Sequence, residues 1–172
     1  MPDSPDLDLH FIKEALRLAR KAQGQTDPNP MVGAVIVKEG KVLGRGYHRR
    51  AGLPHAEIEA FASACSNVAG ATLYVNLEPC AHHGRTPPCV DAIILAGIKR
   101  VVCCTLDPNP KVNGQGIAQL EQAGITVSVG LQARQARALN RAFFARHEAG
   151  QRPMVPTPVG LKKENAGKRG SP

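Results

Sequence analysis

The stretch ATLYVNLEPCAHHGRTPPCVDAIILAGIKRVVCCTL, residues 71–106, reads as strand, polar loop, helix and strand. ATLYVNL (71–77) has the composition of a strand. Residues 88–96 read as a helix, with Pro88 near the first turn, where its missing N–H costs nothing, and Gly97 as the stop. RVVCCTL (100–106) carries the near-continuous apolar run of a strand buried on both faces. The twofold period of a strand sends Cys103 and Cys104 to opposite sides, so they cannot clamp one metal ion.

Working outward, the same alternation continues. Leu9, Ile12, Leu16 and Ala19 recur at helical spacing, and Gly24 is a plausible stop. A proline-rich polar loop (25–30) follows. VGAVIVK (32–38) and KVLGRGYH (41–48) read as two strands joined at Glu39-Gly40, a hairpin. Gly33, Gly44 and Gly46 predict close backbone approach or bulging in those strands. Residues 55–65 read as a helix. After the opening stretch come a helix over 116–123 ended by Gly124, a strand ITVSVG (125–130) and one last helix over 132–147. Strands alternating with helices after a hairpin imply an α/β fold with a mixed sheet covered on both faces.

The chain has 172 residues, enough for one domain with a sizeable core. It has no unbroken apolar run of membrane-spanning length, and MPDSPDLDLH lacks the basic-then-apolar pattern of a signal segment. A cytoplasmic protein with no membrane partner is expected. Five cysteines make an odd count for a disulfide framework, so metal binding or burial must explain them. Cys65, Cys103 and Cys104 are expected to be buried small hydrophobes. The net charge of +8 invites a nucleic-acid reading. Half of that surplus, however, comes from five basic residues and one acid after residue 149, where four prolines and three glycines fall within 151–172. Residues 150–172 are expected to be a disordered tail. With six Phe and Tyr residues and no Trp, the chain lacks an obvious base-stacking platform, and nucleic acid is not expected as the main partner.

The chemistry concentrates in PHAEIEA and LEPCAHHGRTPPC. His55, Cys80 and Cys89 supply one imidazole and two thiolates, a ligand set suited to zinc. Three protein ligands leave a fourth position open for water, and the metal would lower the pKa of that water to about 7. Glu57 could reach the water from the side, although side chains at i and i+2 diverge in the first turn of a helix, and could shuttle its proton. Together these groups are equipment for hydrolytic deamination of an amino-substituted ring, and they resemble the His-x-Glu and Pro-Cys-x-x-Cys signature of the nucleobase deaminases. One departure stands out: eight residues, AHHGRTPP, separate Cys80 from Cys89 where that signature has two. His82 or His83 as a ligand would give a closed structural zinc instead. A non-catalytic zinc-stabilised module and a deaminase of another nucleotide or nucleic-acid base are the alternative readings.

The stretches NPMVGAVIV, GYHRRAGLPHAEIEA, YVNLEPCAHHGRTPPC, DPNPKVNGQG and LNRAFFAR are similar to the deaminase domain of the bacterial riboflavin-biosynthesis deaminases. That resemblance covers about residues 11–147, and the HHGRTPP insert is its specific element. It implies a cytidine-deaminase-like three-layer α/β/α sandwich around a five-stranded mixed sheet, with the zinc-dependent deaminase domain over residues 1–149. It implies one zinc ion per chain, held by His55, Cys80 and Cys89, with Glu57 as proton shuttle. The substrate implied is 2,5-diamino-6-(5-phosphoribosylamino)pyrimidin-4(3H)-one, attacked at the ring carbon bearing the 2-amino group. Asn29 and His48 would line the pyrimidine and ribose pocket, Arg85 would face the 5′-phosphate, and Asp107 and Asn109 would contact the ribose phosphate. Ordinary turn chemistry for Asn29, Asp107 and Asn109, and surface positions for His48 and Arg85, are the readings these roles compete with. Asn113 and Gln115 replace a small and a basic residue common in that family. A reductase domain usually follows in bifunctional members; residues 150–172 do not resemble one, so NADPH is not expected and a separate reductase would be needed. Related deaminases associate through helical faces, so a homo-oligomer is expected.

Overall fold

The computed structural model describes residues 4–84 and 86–149. Its elements follow the order α1 (Pro5–Arg20), β1 (Gly33–Lys38), β2 (Lys41–Tyr47), α2 (Ala56–Ala62), β3 (Thr72–Val75), α3 (Cys89–Leu95), β4 (Arg100–Cys103), α4 (Gln115–Gln122), β5 (Thr126–Val129), α5 (Ala133–Leu139) and α6 (Arg141–Glu148). No helix among the described residues is long and apolar enough to cross a membrane. Arg85 and the segment 150–172, read from sequence as a phosphate-facing residue and a tail, lie outside the described residues.

The five strands form one mixed sheet in the order β2-β1-β3-β4-β5. β1 runs antiparallel to both β2 and β3, whereas β3, β4 and β5 are parallel. The hairpin closes on Glu39 and Gly40, both with positive φ, the conformation that a two-residue turn needs to match strand twist. α1 starts on Pro5, carries Asp6 and Asp8 in its first turn and ends with Arg17 and Arg20, so its charges oppose the helix dipole at both ends.

Alternation along the strands builds two cores. Ala34, Ile36, Leu73, Val75, Val101 and Cys103 face α2, α3 and α4, meeting Ala60, Ile93 and Leu120. Val35, Val37, Tyr74, Val102 and Cys104 face α1 and α5, meeting Ile12, Leu16 and Ala136. The result is the three-layer sandwich expected, with Cys103 and Cys104 on opposite faces. Asp8 ties α1 to the sheet: the Arg100 guanidinium grips both its oxygens at 2.8 and 2.7 Å, and the Tyr74 hydroxyl donates to it at 2.8 Å. That bidentate pair, helped by the Tyr74 hydrogen bond, holds the Asp8 carboxyl below its ordinary value against the opposing effect of burial.

Two expectations fail. The last helix is two helices, broken at Asn140 (φ −107, ψ 30), because the Asn140 side chain is drawn into the backbone of a distant loop. Cys65 is exposed rather than buried. α2 ends at Ala62, and the Cys65 backbone N–H bonds to the Leu43 carbonyl at 3.1 Å, which leaves the thiol at the surface.

Candidate metal centre and its pocket

The segments after β3 and β4 open at the carboxyl ends of parallel strands, where α/β sheets gather their sites. Cys80 lies on the first of them, and Cys89 is the opening residue of α3, directly behind Pro88. His55 comes from the other side. It is the N-cap of α2, with an extended backbone (φ −70, ψ 162). α2 sits flush on β2 because Gly44 and Gly46 have no side chains: a Cβ there would stand 2.2 Å from the Ala60 carbonyl oxygen and 2.3 Å from that of Ala56. The expectation of close approach at these glycines holds.

His55 Nδ1 lies 3.3 Å from Cys89 Sγ and 3.6 Å from Cys80 Sγ, and all three atoms fall within 4.8 Å of one another. A tetrahedral zinc with ordinary Zn–N and Zn–S bonds separates such N and S atoms by about 3.6 Å, so the donor set fits zinc in both chemistry and spacing. Among the described residues no further His, Cys, Asp or Glu joins the group; His82 and His83 are exposed and outside it. The Cys89 N–H points at Cys80 Sγ from 3.3 Å. The Cys89 thiol, then His55 and that N–H, hold the Cys80 thiol down to about 4, while its hydrogen bond with Cys80 and burial push Cys89 up. His55 is raised, first by its contact with Cys80.

Glu57 is 3% exposed in the first turn of α2 and lines the same cavity as His55 and Cys80, a space of about 620 Å³. The divergence expected from i, i+2 spacing is offset because His55 is in the extended cap and not in the helix. Burial, then the Cys80 sulfur, pushes the Glu57 carboxyl up to about 7. A group so placed can both accept and release a proton near neutrality.

Asn29 and His48 are side by side on the cavity wall. The Asn29 amide lies 3.2 Å from His48 Nε2, and His48 Nδ1 lies 3.1 Å from the Pro54 carbonyl oxygen. The tautomer satisfying both has Nδ1–H donating to Pro54 and Nε2 accepting from Asn29. His48 is buried rather than on the surface, and that burial lowers its pKa. Its ring meets that of His55 edge to face at 5.5 Å.

Two asparagines not singled out from sequence hold the Asn29 loop. Asn140 accepts from the Met31 N–H at 2.8 Å and donates to the Met31 carbonyl at 2.9 Å. Asn76 accepts from the Gly33 N–H at 2.8 Å and donates to the same carbonyl at 3.0 Å. Both lie in stretches quoted above, YVNLEPC and LNRAFFAR, but asparagine reads as a surface residue unless a backbone needing two bonds is known to face it.

Asp107 and Asn109 also line the cavity. Both also make the turn: Asp107 Oδ1 accepts the Asn109 N–H at 2.8 Å, and Asn109 Oδ1 accepts the Lys111 N–H at 3.1 Å. Burial raises the Asp107 carboxyl. Phe143 and His147 of α6, also missed, close another side, with ring centroids 4.7 Å apart.

An imidazole and two thiols beside a buried carboxylate, at the strand ends of a mixed five-stranded sheet, define a class. The chain belongs to the family of the cytidine and deoxycytidylate deaminase zinc-binding region, whose model matches residues 5–105. Within that class its relatives are specific. It is 58% identical over 139 residues to the riboflavin biosynthesis protein RibD of Aquifex aeolicus, an alignment covering 81% of this chain and 39% of that protein. It is 45% identical over 143 residues to the diaminohydroxyphosphoribosylamino-pyrimidine deaminase of Buchnera aphidicola subsp. Schizaphis graminum, covering 83% of this chain and 97% of that one. The solved structure of Acinetobacter baumannii RibD matches with a TM-score of 0.81 at 44% identity, over 84% of this chain and 41% of that chain. The chain therefore spans about two fifths of the length of these RibD proteins.

Proposed function

We propose that the chain hydrolyses the 2-amino group of 2,5-diamino-6-(5-phosphoribosylamino)pyrimidin-4(3H)-one, releasing ammonia, as a zinc-dependent step of riboflavin biosynthesis. The observation that carries this reading is the convergence of His55, Cys80 and Cys89 on one point beside buried Glu57. The Buchnera relative, matched along nearly its whole length, bears the name of this activity.

His55 Nδ1 and the two thiolates would hold one zinc ion, which supplies Lewis acidity that makes water a nucleophile near neutral pH. Glu57 takes a proton from that water and delivers it to the departing amine, so water enters, ammonia leaves and the ring gains a carbonyl. His48, fixed by Pro54 and Asn29, stays neutral and orients the pyrimidine with Asn29. Asp107, Asn109 and Arg85 are assigned to the phosphoribosyl end, Arg85 as a donor to phosphate. The deaminase unit is taken as residues 1–149.

Ammonia release from the phosphoribosyl diaminopyrimidine, set against cytidine, deoxycytidylate and a transfer-RNA adenosine stem-loop, tests the assignment, with metal content measured on the same sample. Preference for the diaminopyrimidine supports it. Turnover of another substrate alone, or none with zinc bound, overturns it.

A further inference from the structure

Glu78 lines the same cavity as Glu57, two residues before Cys80, yet its carboxylate is wholly engaged by the chain itself. Oε2 accepts the N–H groups of Asp107 and Gly114, each at 3.0 Å. Oε1 accepts those of Gly116 at 2.8 Å and Ile117 at 3.3 Å. Gly114 is the N-cap of α4 and has no side chain with which to cap it, so Glu78 supplies from another element the acceptor that the first turn lacks. The fit is close: a Cβ on Gly116 would stand 2.1 Å from the Pro79 carbonyl oxygen. The loop between is drawn shut by Asn113, whose amide donates to the Asp107 carbonyl at 2.8 Å.

One carboxylate therefore joins the strand end that carries Cys80 to the loop that brings Asp107 and Asn109 to the cavity. His55, Glu57 and Cys89 are held by α2 and α3 and make none of these bonds. We propose that Glu78 is a positioning residue that sets the distance between the metal side and the Asp107–Asn109 side of the pocket, and so governs substrate affinity rather than the chemical step. The kinetic part rests on the function proposed above; the clamp itself does not.

The test is Glu78→Gln in the zinc-loaded chain. The amide turns an N–H pair towards two of the backbone N–H groups and leaves them without an acceptor. Amide exchange at Asp107, Gly114, Gly116 and Ile117 is expected to rise about tenfold or more, while Met31 and Gly33, held by Asn140 and Asn76, stay as in wild type. Zinc content stays unchanged, KM rises about tenfold, and kcat stays within about threefold. In a double-mutant cycle the effects are less than additive: the Glu78→Gln/Asp107→Ala double variant has a KM no higher than that of the worse single variant. Unchanged exchange at the four amides overturns the clamp. A fall in kcat at constant KM, or additive effects on KM, overturns the positioning role. Should Glu78→Gln fail to fold, Gly116→Ala strains the same contact from the helix side; the same KM-selective loss supports the proposal and wild-type KM overturns it. A wild-type chain that releases no ammonia from this substrate defeats the functional reading, and the exchange pattern still decides the clamp.

Discussion

Asn140 and Met31, 109 residues apart in sequence, are joined side chain to backbone by two hydrogen bonds of 2.8 and 2.9 Å. This pairing breaks the C-terminal helix in two and fastens it to the loop that carries Asn29. Asn140→Ala leaves the Met31 N–H without its acceptor, whereas the Met31 carbonyl keeps Asn76. A loss of about 1–3 kcal/mol is expected, read as a lower urea midpoint at unchanged slope. Zinc content should not change, because no ligand sits on that loop.

Glu57→Gln preserves shape and removes the carboxylate proposed to carry the proton. Ammonia release should fall by about 100-fold or more, the range general acid–base groups contribute. Metal content measured on the same sample should match wild type, which separates loss of the shuttle from loss of the ion.

Chelation should abolish activity and lower thermal stability together, since an ion bound only by the folded chain stabilises it by mass action. Zinc added back should restore both. Cys89→Ala should lose the metal and His82→Ala should keep it; a His82 variant stripped of zinc would instead place that imidazole among the ligands.

The Asp8 carboxyl, held below its ordinary 3.8 by Arg100 and Tyr74, makes acid stability predictable in sign. Above 3.8 the folded and unfolded chains both carry the charge, and the pair's contribution is complete. It is lost as pH falls below 3.8, through the lowered folded value, because the unfolded chain takes up the proton first. Denaturation midpoints of wild type and Asp8→Asn, followed from pH 7 down to about pH 2, should differ most at neutral pH and converge in acid.

The sequence made the architecture legible because its signals are local. Strand alternation placed Cys103 and Cys104 on opposite faces, and the Glu39-Gly40 turn announced the hairpin. The grouping of His55, Cys80 and Cys89 was legible because imidazole and thiols at that spacing have few other uses. What escaped notice were polar residues whose partners are backbone atoms far along the chain. Glu78, Asn76 and Asn140 look like solvated surface until the loops they hold are folded against them. The break between α5 and α6 escaped for the same reason: residues 132–147 hold no proline or glycine, and a tertiary contact overrides their helical propensity. Cys65 was misjudged because a cysteine's average burial says nothing of a chain that has just left its helix.

The five thiols are thereby sorted by accessibility. Cys65 is exposed, Cys103 and Cys104 are interior with raised pKa values, and Cys80 and Cys89 are committed to the cluster. A colourimetric sulfhydryl reagent should register one fast equivalent on the loaded chain, and stripping the ion should release Cys80, already disposed towards thiolate, as the next to react. With zinc bound as proposed, the chain would carry a built-in gauge of its own occupancy, and exposed Cys65, which does not line the cavity, offers an attachment point for a fluorophore.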